Sequence, residues 1–137
     1  IAARGQHVCR WTIPRARYEM NRKGYLKWRE DLKTFHADTV ARLMLEEGYP
    51  ADTIEHLRQI IRKRDFQDPV TQTVEDALCL VFLETQFIEL QSKTPPDKMA
   101  DIVRKTWRKM SERGKQAALS LDLPAAEKDF LLKTLAP

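Results

Sequence analysis

Apolar side chains recur at helical spacing along most of this chain, and this periodicity constrains its fold more than any other feature. Between residues 24 and 47 they are three or four residues apart, with one step of five: Tyr25, Trp28, Leu32, Phe35, Val40, Leu43 and Met44. Such spacing places side chains on one face of an α-helix. Gly48 and then Pro50 follow in the order that ends a helix. The pattern therefore predicts a long amphipathic helix.

Later segments between breaks in the chain show the same spacing. Further helices are predicted over roughly residues 51–64, over residues 70–91, from residue 94 to a break or bend at Gly114, and from Pro124 onward. The segment 77–83 is apolar on every side, which is typical of a helix at the centre of a bundle. The helix that begins at residue 94 is expected to place Met110 on its inner face.

The start of the chain lacks this regular pattern. Residues 1–9 are predicted to be the tail of a helix, and residues 10–22, which contain Pro14, to form a loop. The chain has only four glycines and no alternating Val/Thr runs, so an all-β fold is excluded. A length of 137 residues is typical of one domain. The sequence therefore predicts an all-α bundle of five or six helices that forms a single domain over residues 1–137.

The apolar runs and the cysteines bear on the compartment. The longest apolar run, residues 77–83, is far shorter than the ~20 residues of a membrane-spanning helix. The two cysteines, Cys9 and Cys79, cannot form a disulfide framework, and no C-x-x-C spacing suggests a zinc site. We therefore expect an intracellular protein without a membrane span, in a reducing compartment such as the cytoplasm or the interior of an organelle.

Three polar side chains are the candidate metal ligands. His36 lies four residues from both Leu32 and Val40, so its ring lies on the inner face of the long helix. Asp76 precedes a buried segment, where a carboxylate is costly unless it is paired, hydrogen-bonded or bound to a metal. His7 lies just before the loop. Two histidines and one aspartate on three helices predict a site for one divalent metal ion.

The same residues also have a purely structural interpretation. A single histidine that faces inward is more often a hydrogen-bonded core residue than a ligand. Asp76 could pair with Arg62 or Arg64 and stabilise only the fold. The spacing by itself leaves both interpretations open, and it identifies no catalytic residue.

Positive charge is concentrated near the start of the chain. Residues 1–33 carry nine basic and three acidic side chains, whereas the whole chain has a net charge of +4. Because arginine binds phosphate in a bidentate manner, the expected anion-binding residues are the cations of the loop and the first turns of the long helix: Arg10, Arg15, Arg17, Lys27 and Arg29. A second basic stretch lies between Arg104 and Lys115.

The Arg-rich segment at residues 10–29, which comprises the loop and the first turns of the long helix, also contains aromatic residues that can stack on nucleic-acid bases. Among them are Trp11 and Trp28. The alternative is that both tryptophans belong to the core and the arginines only solvate one face. Neither Arg15 nor Arg17 falls on a periodic apolar face. Neutralising both is therefore expected to cost little stability.

Five blocks of sequence resemble one family, in its order and over nearly the whole chain: Ala2–Arg15, Gly24–Arg29, Leu32–Ala37, Glu75–Glu84 and Arg104–Arg113. The family is catalogued as domain of unknown function 4202, and it has no established activity. Its members are usually longer at the N-terminus. The resemblance therefore implies that the first one or two helices are missing here, and that a partner protein or further residues cover the face they leave.

A more distant resemblance is to the HD superfamily of metal-dependent phosphohydrolases. There, a His, a His-Asp pair and a later Asp on successive helices hold a metal that activates water for attack on phosphate. The resemblance places His7 at the paired His, with Val8 instead of its Asp, and Asp76 at the final Asp. His36 is similar to an extra histidine of some members, and the first His would precede Ile1.

These features lead to three expectations about function. The first is an HD-like metal-dependent phosphohydrolase, or a degenerate relative, that acts on a phosphorylated small molecule or nucleotide through His7, His36 and Asp76. The second is a catalytically inactive structural subunit of a larger assembly, which Val8 favours. The third is an RNA-binding module that uses the Arg-rich loop, residues 10–29.

Overall fold

The computed structural model describes residues 1–136, and every regular element in them is helical. Two single 3₁₀ turns, Arg10–Thr12 and Arg15–Arg17, lie between α1 and α2. The α-helices are α1 (Ala2–Gly5), α2 (Arg22–Glu46), α3 (Ala51–Arg62), α4 (Pro69–Thr85), α5 (Phe87–Ser92), α6 (Pro96–Trp107), α7 (Glu112–Leu119) and α8 (Ala125–Leu135). The all-α class is confirmed, although the described residues form eight α-helices instead of five or six.

The additional helices arise where a predicted helix is interrupted. The helix expected over residues 70–91 ends at Thr85 and restarts at Phe87. The Thr85 hydroxyl donates a hydrogen bond to the Val81 carbonyl at 2.7 Å, and such local bonds are known to bend helices. The prediction that the segment 77–83 is buried on every side is wrong, because the Val81 side chain is 49% exposed.

A second interruption separates α6 from α7. The helix expected to continue through Met110 ends at Trp107, and α7 begins after Ser111. The Ser111 hydroxyl accepts a hydrogen bond from the Gly114 amide at 3.1 Å, which is the usual geometry of a helix N-cap. Gly114 therefore belongs to the first turn of α7 and does not break a helix.

The described residues form two compact units, residues 1–71 and residues 72–136. The single domain over residues 1–137 stays a prediction. The boundary falls within the first turn of α4. Each unit has its own group of buried apolar side chains.

In the first unit, α2 packs against α3, and the short helix α1 contacts both. Their shared core consists of Ala37, Val40, Ala41, Met44, Ile54, Leu57 and Ile61. Gly5 allows α1 to approach closely, since a Cβ atom there would lie 2.9 Å from Val40 Cγ2 and 3.0 Å from Ile61 Cδ1. This close packing brings the end of α1, and with it His7, beside α2.

In the second unit, α6 packs against α5 and α8. The buried core of this unit consists of Cys79, Leu83, Phe87, Met99, Val103, Met110, Ala118, Leu123 and Leu131. Met110 is buried as the periodicity predicts, although it lies in the turn between α6 and α7. In the part of the chain that the structure describes, every helix is too short or too polar to cross a membrane.

Candidate functional site

His7 and His36 lie side by side in the first unit, as the sequence predicts for two of its three candidate ligands. The centroids of their rings are 6.3 Å apart, and the ring planes are inclined by 34°. His36 is buried on the inner face of α2 with 3% of its surface exposed, whereas His7 is exposed at the end of α1. The pair therefore has one anchored ring and one ring that faces solvent.

The His36 ring is held by the backbone of the segment that carries His7. Its Nδ1 atom lies 2.8 Å from the Val8 carbonyl oxygen. A carbonyl oxygen only accepts hydrogen bonds, so Nδ1 carries the proton and donates it. The Nε2 atom of the neutral ring is then left with a lone pair. Metal-binding histidines are commonly oriented by such a bond from the other ring nitrogen.

Positive charge surrounds the histidine pair. Partial desolvation lowers the pKa of the His7 imidazole below its ordinary value, although the residue is exposed. Three nearby cations lower the pKa of the same ring further: Arg10, Arg29 and Lys63. Burial also lowers the pKa of His36; its bond to Val8 opposes this, and the charges of His7 and Arg10 reinforce it. Both rings are therefore mainly neutral at neutral pH, in an environment that favours an anion.

Val8 occupies the position at which the HD resemblance expects an aspartate. Its side chain is partly buried and packs against the core of the first unit. An apolar side chain in this position offers no metal ligand. The backbone carbonyl of Val8, not its side chain, contributes to the site by orienting His36.

Asp76, the third predicted ligand, lies in the second unit and has partners there. Its carboxylate accepts hydrogen bonds from the Ser111 amide at 2.8 Å and from the Ser111 hydroxyl at 2.5 Å. The Gln72 side-chain amide donates a third bond at 3.0 Å. The carboxylate thus links α4 to the N-terminus of α7, where a negative charge is favourable. Sequence reasoning missed Ser111, since 35 residues separate it from Asp76.

Among the described residues, no group of three or more His, Cys, Asp or Glu side chains is placed to hold a metal ion. His7 and His36 supply two imidazoles within the first unit, and Asp76 belongs to the second. The metal site formed by all three residues stays a prediction.

The predicted anion-binding cations differ in their surroundings. The Arg10 guanidinium lies over the Trp28 ring, 4.8 Å from its centroid. Lys27 is paired with Asp31 at 2.6 Å on the exposed face of α2. Arg29 is exposed and acts on His7 through its charge. Arg10 and Arg29 are therefore the two predicted cations that act on the histidine pair.

Arg15 stabilises the loop itself. Its guanidinium donates hydrogen bonds to three backbone carbonyls: Tyr18 at 3.0 Å, Glu19 at 2.6 Å and Asn21 at 3.2 Å. Arg17 makes a single long bond of 3.4 Å to the Thr12 carbonyl. The two arginines, which the sequence treats alike, thus have different roles in the structure.

We expect Arg15→Ala to lower the free energy of unfolding by about 1–2 kcal/mol, because three carbonyls lose a charged donor that is partly exposed. Arg17→Ala is the matched control, with an expected change within about 0.5 kcal/mol for an exposed side chain. Urea denaturation of the two variants measures both changes. Equal effects of the two substitutions would contradict a structural role for Arg15.

The two tryptophans of the loop region also differ. Trp28 is buried, and its indole Nε1 donates a hydrogen bond to the Ile13 carbonyl at 2.8 Å. Trp11, in contrast, is 78% exposed. The interpretation that both tryptophans belong to the core is correct for Trp28 and wrong for Trp11.

The fold and the site together define an all-helical protein with a paired-histidine site in a cationic environment. Residues 1–131 match the family described as Domain of unknown function (DUF4202), and the chain belongs to that family. Neither a curated protein nor a solved structure matches the chain.

Proposed function

We propose that this chain is an HD-like phosphohydrolase or a degenerate relative of one, and that it binds the phosphate group of a phosphorylated small molecule or nucleotide at His7 and His36. The observation that carries the proposal is the histidine pair: two rings 6.3 Å apart, with cations acting on both of them. Arg10 acts on both rings, and Arg29 acts on His7.

The chemistry of these groups suits a phosphate. A neutral imidazole offers one N–H donor, and a protonated ring offers two donors and a positive charge. Arginine binds phosphate oxygens in a bidentate manner, as lysine cannot. A dianion beside the rings favours their protonated form. Binding of the phosphate is therefore accompanied by proton uptake at His7 and His36.

A divalent metal ion, when bound, would supply an activated water for hydrolysis. His7 and His36 suit such an ion as two neutral imidazole ligands, and the Val8 carbonyl orients one of them. Asp76 is the proposed third ligand, by resemblance alone. The steps that this chain performs by itself are binding the phosphate and holding protons on the two rings.

One observation favours the second candidate, a catalytically inactive subunit of a larger assembly. The side chain of Val8 packs on the core where the HD resemblance expects a metal-binding carboxylate. In that case the phosphate site is retained without hydrolysis. Such a subunit would bind a protein partner.

Sulfate, which stays a dianion between about pH 5 and 8, tests the site across the titration range of histidine. The free protein has lowered histidine pKa values, so bound sulfate is expected to raise the pKa of both His7 and His36. By linkage, sulfate then binds more tightly as the pH falls and the rings become protonated. The total gain in affinity is about tenfold for each unit by which bound sulfate raises the pKa of a histidine. NMR titration of the imidazole protons, with and without sulfate, measures the shifts.

His56 is an internal control, because it lies on α3 with 47% of its side chain exposed and contacts Asp68 at 3.2 Å. Sulfate is expected to leave the imidazole NMR signals of His56 unchanged. His7→Gln and His36→Gln should each weaken sulfate binding and flatten its pH dependence. Sulfate-induced signal changes of equal size at all three histidines, or none at any of them, would refute the phosphate site.

Manganese separates the two forms of the proposal. Mn²⁺ is paramagnetic, so broadening of the His7 and His36 signals at low Mn²⁺ concentration supports the metal-dependent form. Sulfate binding without any such broadening supports the degenerate relative. Phosphatase activity on a generic aryl phosphate that requires Mn²⁺ and is lost in His36→Gln would establish the enzyme.

A further inference from the structure

The loop between α1 and α2 exposes a large aromatic side chain. Trp11 is 78% exposed, and Met20, in the same loop, is 81% exposed. Tryptophan is among the residues that folding usually buries to a large extent. The neighbouring Trp28 follows that rule, since it is 8% exposed. The loop therefore exposes a side chain of a type that is usually buried.

The backbone on both sides of Trp11 is fixed by hydrogen bonds. The Thr12 hydroxyl donates to the Cys9 carbonyl at 2.9 Å, and the Trp28 indole donates to the Ile13 carbonyl at 2.8 Å. Arg15 fixes the following turn through three further carbonyls. Trp11 is thus presented to solvent from a preorganised turn, which lowers the entropic cost of binding.

The segment that contains this turn is strongly cationic. Residues 1–29 contain eight basic side chains and a single acidic one, Glu19. Of these eight cations, Lys27 alone is paired with a carboxylate among the ion pairs that the structure describes, and its partner is Asp31. Five of the others are exposed: Arg4, Arg17, Arg22, Lys23 and Arg29. A partner must therefore supply several negative charges.

We infer that the turn at Trp11, with Arg17, Arg22 and Lys23, is a binding surface for single-stranded nucleic acid. Unpaired bases stack on exposed aromatic rings, while arginines and lysines contact the phosphates. An acidic peptide would match the charge, but it carries no flat base to cover the Trp11 ring. The inference does not use His7 or His36, so it stands or falls separately from the proposed phosphate site.

The probe is a fluorescein-labelled oligouridylate of about 12 nucleotides, a length within the range that single-strand-binding domains occupy. Trp11→Ala is expected to weaken its binding by about tenfold or more, because one stacked base is lost. Trp11→Phe keeps an aromatic ring and should retain most of the affinity. Fluorescence anisotropy with the whole chain measures both, and circular dichroism confirms that each variant is folded.

Charge is tested on the same surface and on a second basic stretch, which belongs to the other unit. Arg22→Ala with Lys23→Ala should weaken binding and reduce the slope of log affinity against log salt by about 0.7 for each phosphate that the protein no longer neutralises. The matched control is Lys105→Ala with Arg108→Ala, two exposed cations in the second unit. This control should leave the affinity for the oligonucleotide within about twofold, because neither cation belongs to the proposed surface.

Three comparisons decide the class of partner. Preference for the single strand over a duplex of the same length supports base stacking, and equal affinity overturns it. If polyglutamate binds as tightly as the oligonucleotide and Trp11→Ala does not weaken that binding, the inference is overturned in favour of an acidic protein partner. Oligodeoxyuridylate of the same length, which lacks only the 2′-hydroxyl groups, distinguishes the two nucleic acids, because tighter binding of the ribose form identifies RNA as the ligand.

Discussion

Gly24→Ala is expected to lower the free energy of unfolding by about 3 kcal/mol, although alanine normally stabilises a helix by up to about 1 kcal/mol relative to glycine. A Cβ atom at Gly24 would clash with the Glu19 carbonyl oxygen and would lie 2.9 Å from two other backbone atoms of Glu19. That carbonyl is already held by Arg15 at 2.6 Å. The loop must therefore move away from the first turn of α2.

The displacement also breaks the N-cap of α2, in which Asn21 accepts a hydrogen bond from the Gly24 amide at 2.8 Å. Losing such a cap costs about 1 kcal/mol. Lys23→Ala, an exposed change in the same helical turn, is the matched control and should stay within about 0.5 kcal/mol. Chemical denaturation of both variants is the measurement. A Gly24→Ala variant as stable as the parent chain would show that the loop does not contact α2 in this way.

Gly114→Ala is expected to cost about 2–3 kcal/mol in the second unit. A Cβ atom there would lie 2.6 Å from Cγ and Oδ1 of Asp76. The carboxylate cannot withdraw without losing its bonds to the Ser111 amide and hydroxyl. The substitution therefore either displaces Asp76 or separates α7 from α4.

A double-mutant cycle makes this second prediction specific. Asp76→Ala alone should be destabilising by about 1–3 kcal/mol, because the Ser111 donors lose their acceptor. In that background Gly114→Ala no longer meets a carboxylate, so it should be neutral or stabilising, as in an ordinary helix. Destabilisation of the same size in both backgrounds would refute the clash with Asp76.

Asp76 illustrates how one residue can be explained in two ways. The resemblance to HD phosphohydrolases assigns it to a metal, whereas its hydrogen bonds assign it to the N-terminus of α7. The two roles predict different results for the variant Asp76→Asn. If Asp76→Asn keeps the fold but abolishes Mn²⁺ binding, the metal role is supported; if it chiefly lowers stability, the structural role explains the residue.

The sequence by itself determined the helical class and most of the residues that face inward, although Tyr25 and Leu43 of the predicted apolar face are exposed. Three- and four-residue spacing placed Trp28 and His36 on the buried face of α2, and the structure has both buried there. It also indicated the ends of α2 and α3 and the start of α8 to within about two residues, the usual precision of such boundaries. These features follow from local geometry, because a helix repeats every 3.6 residues and is ended by glycine or proline.

Only the tertiary structure decided which polar groups meet. Nothing within one helical turn of Asp76 indicates Ser111, and nothing in the loop composition distinguishes Arg15, which binds three carbonyls, from the exposed Arg17. His7 and His36, which lie 29 residues apart, were predicted to share a site, but only the structure shows how their two rings are placed. Each of these contacts depends on how separate segments pack in space, and the periodicity of one segment contains no information about its partner in another.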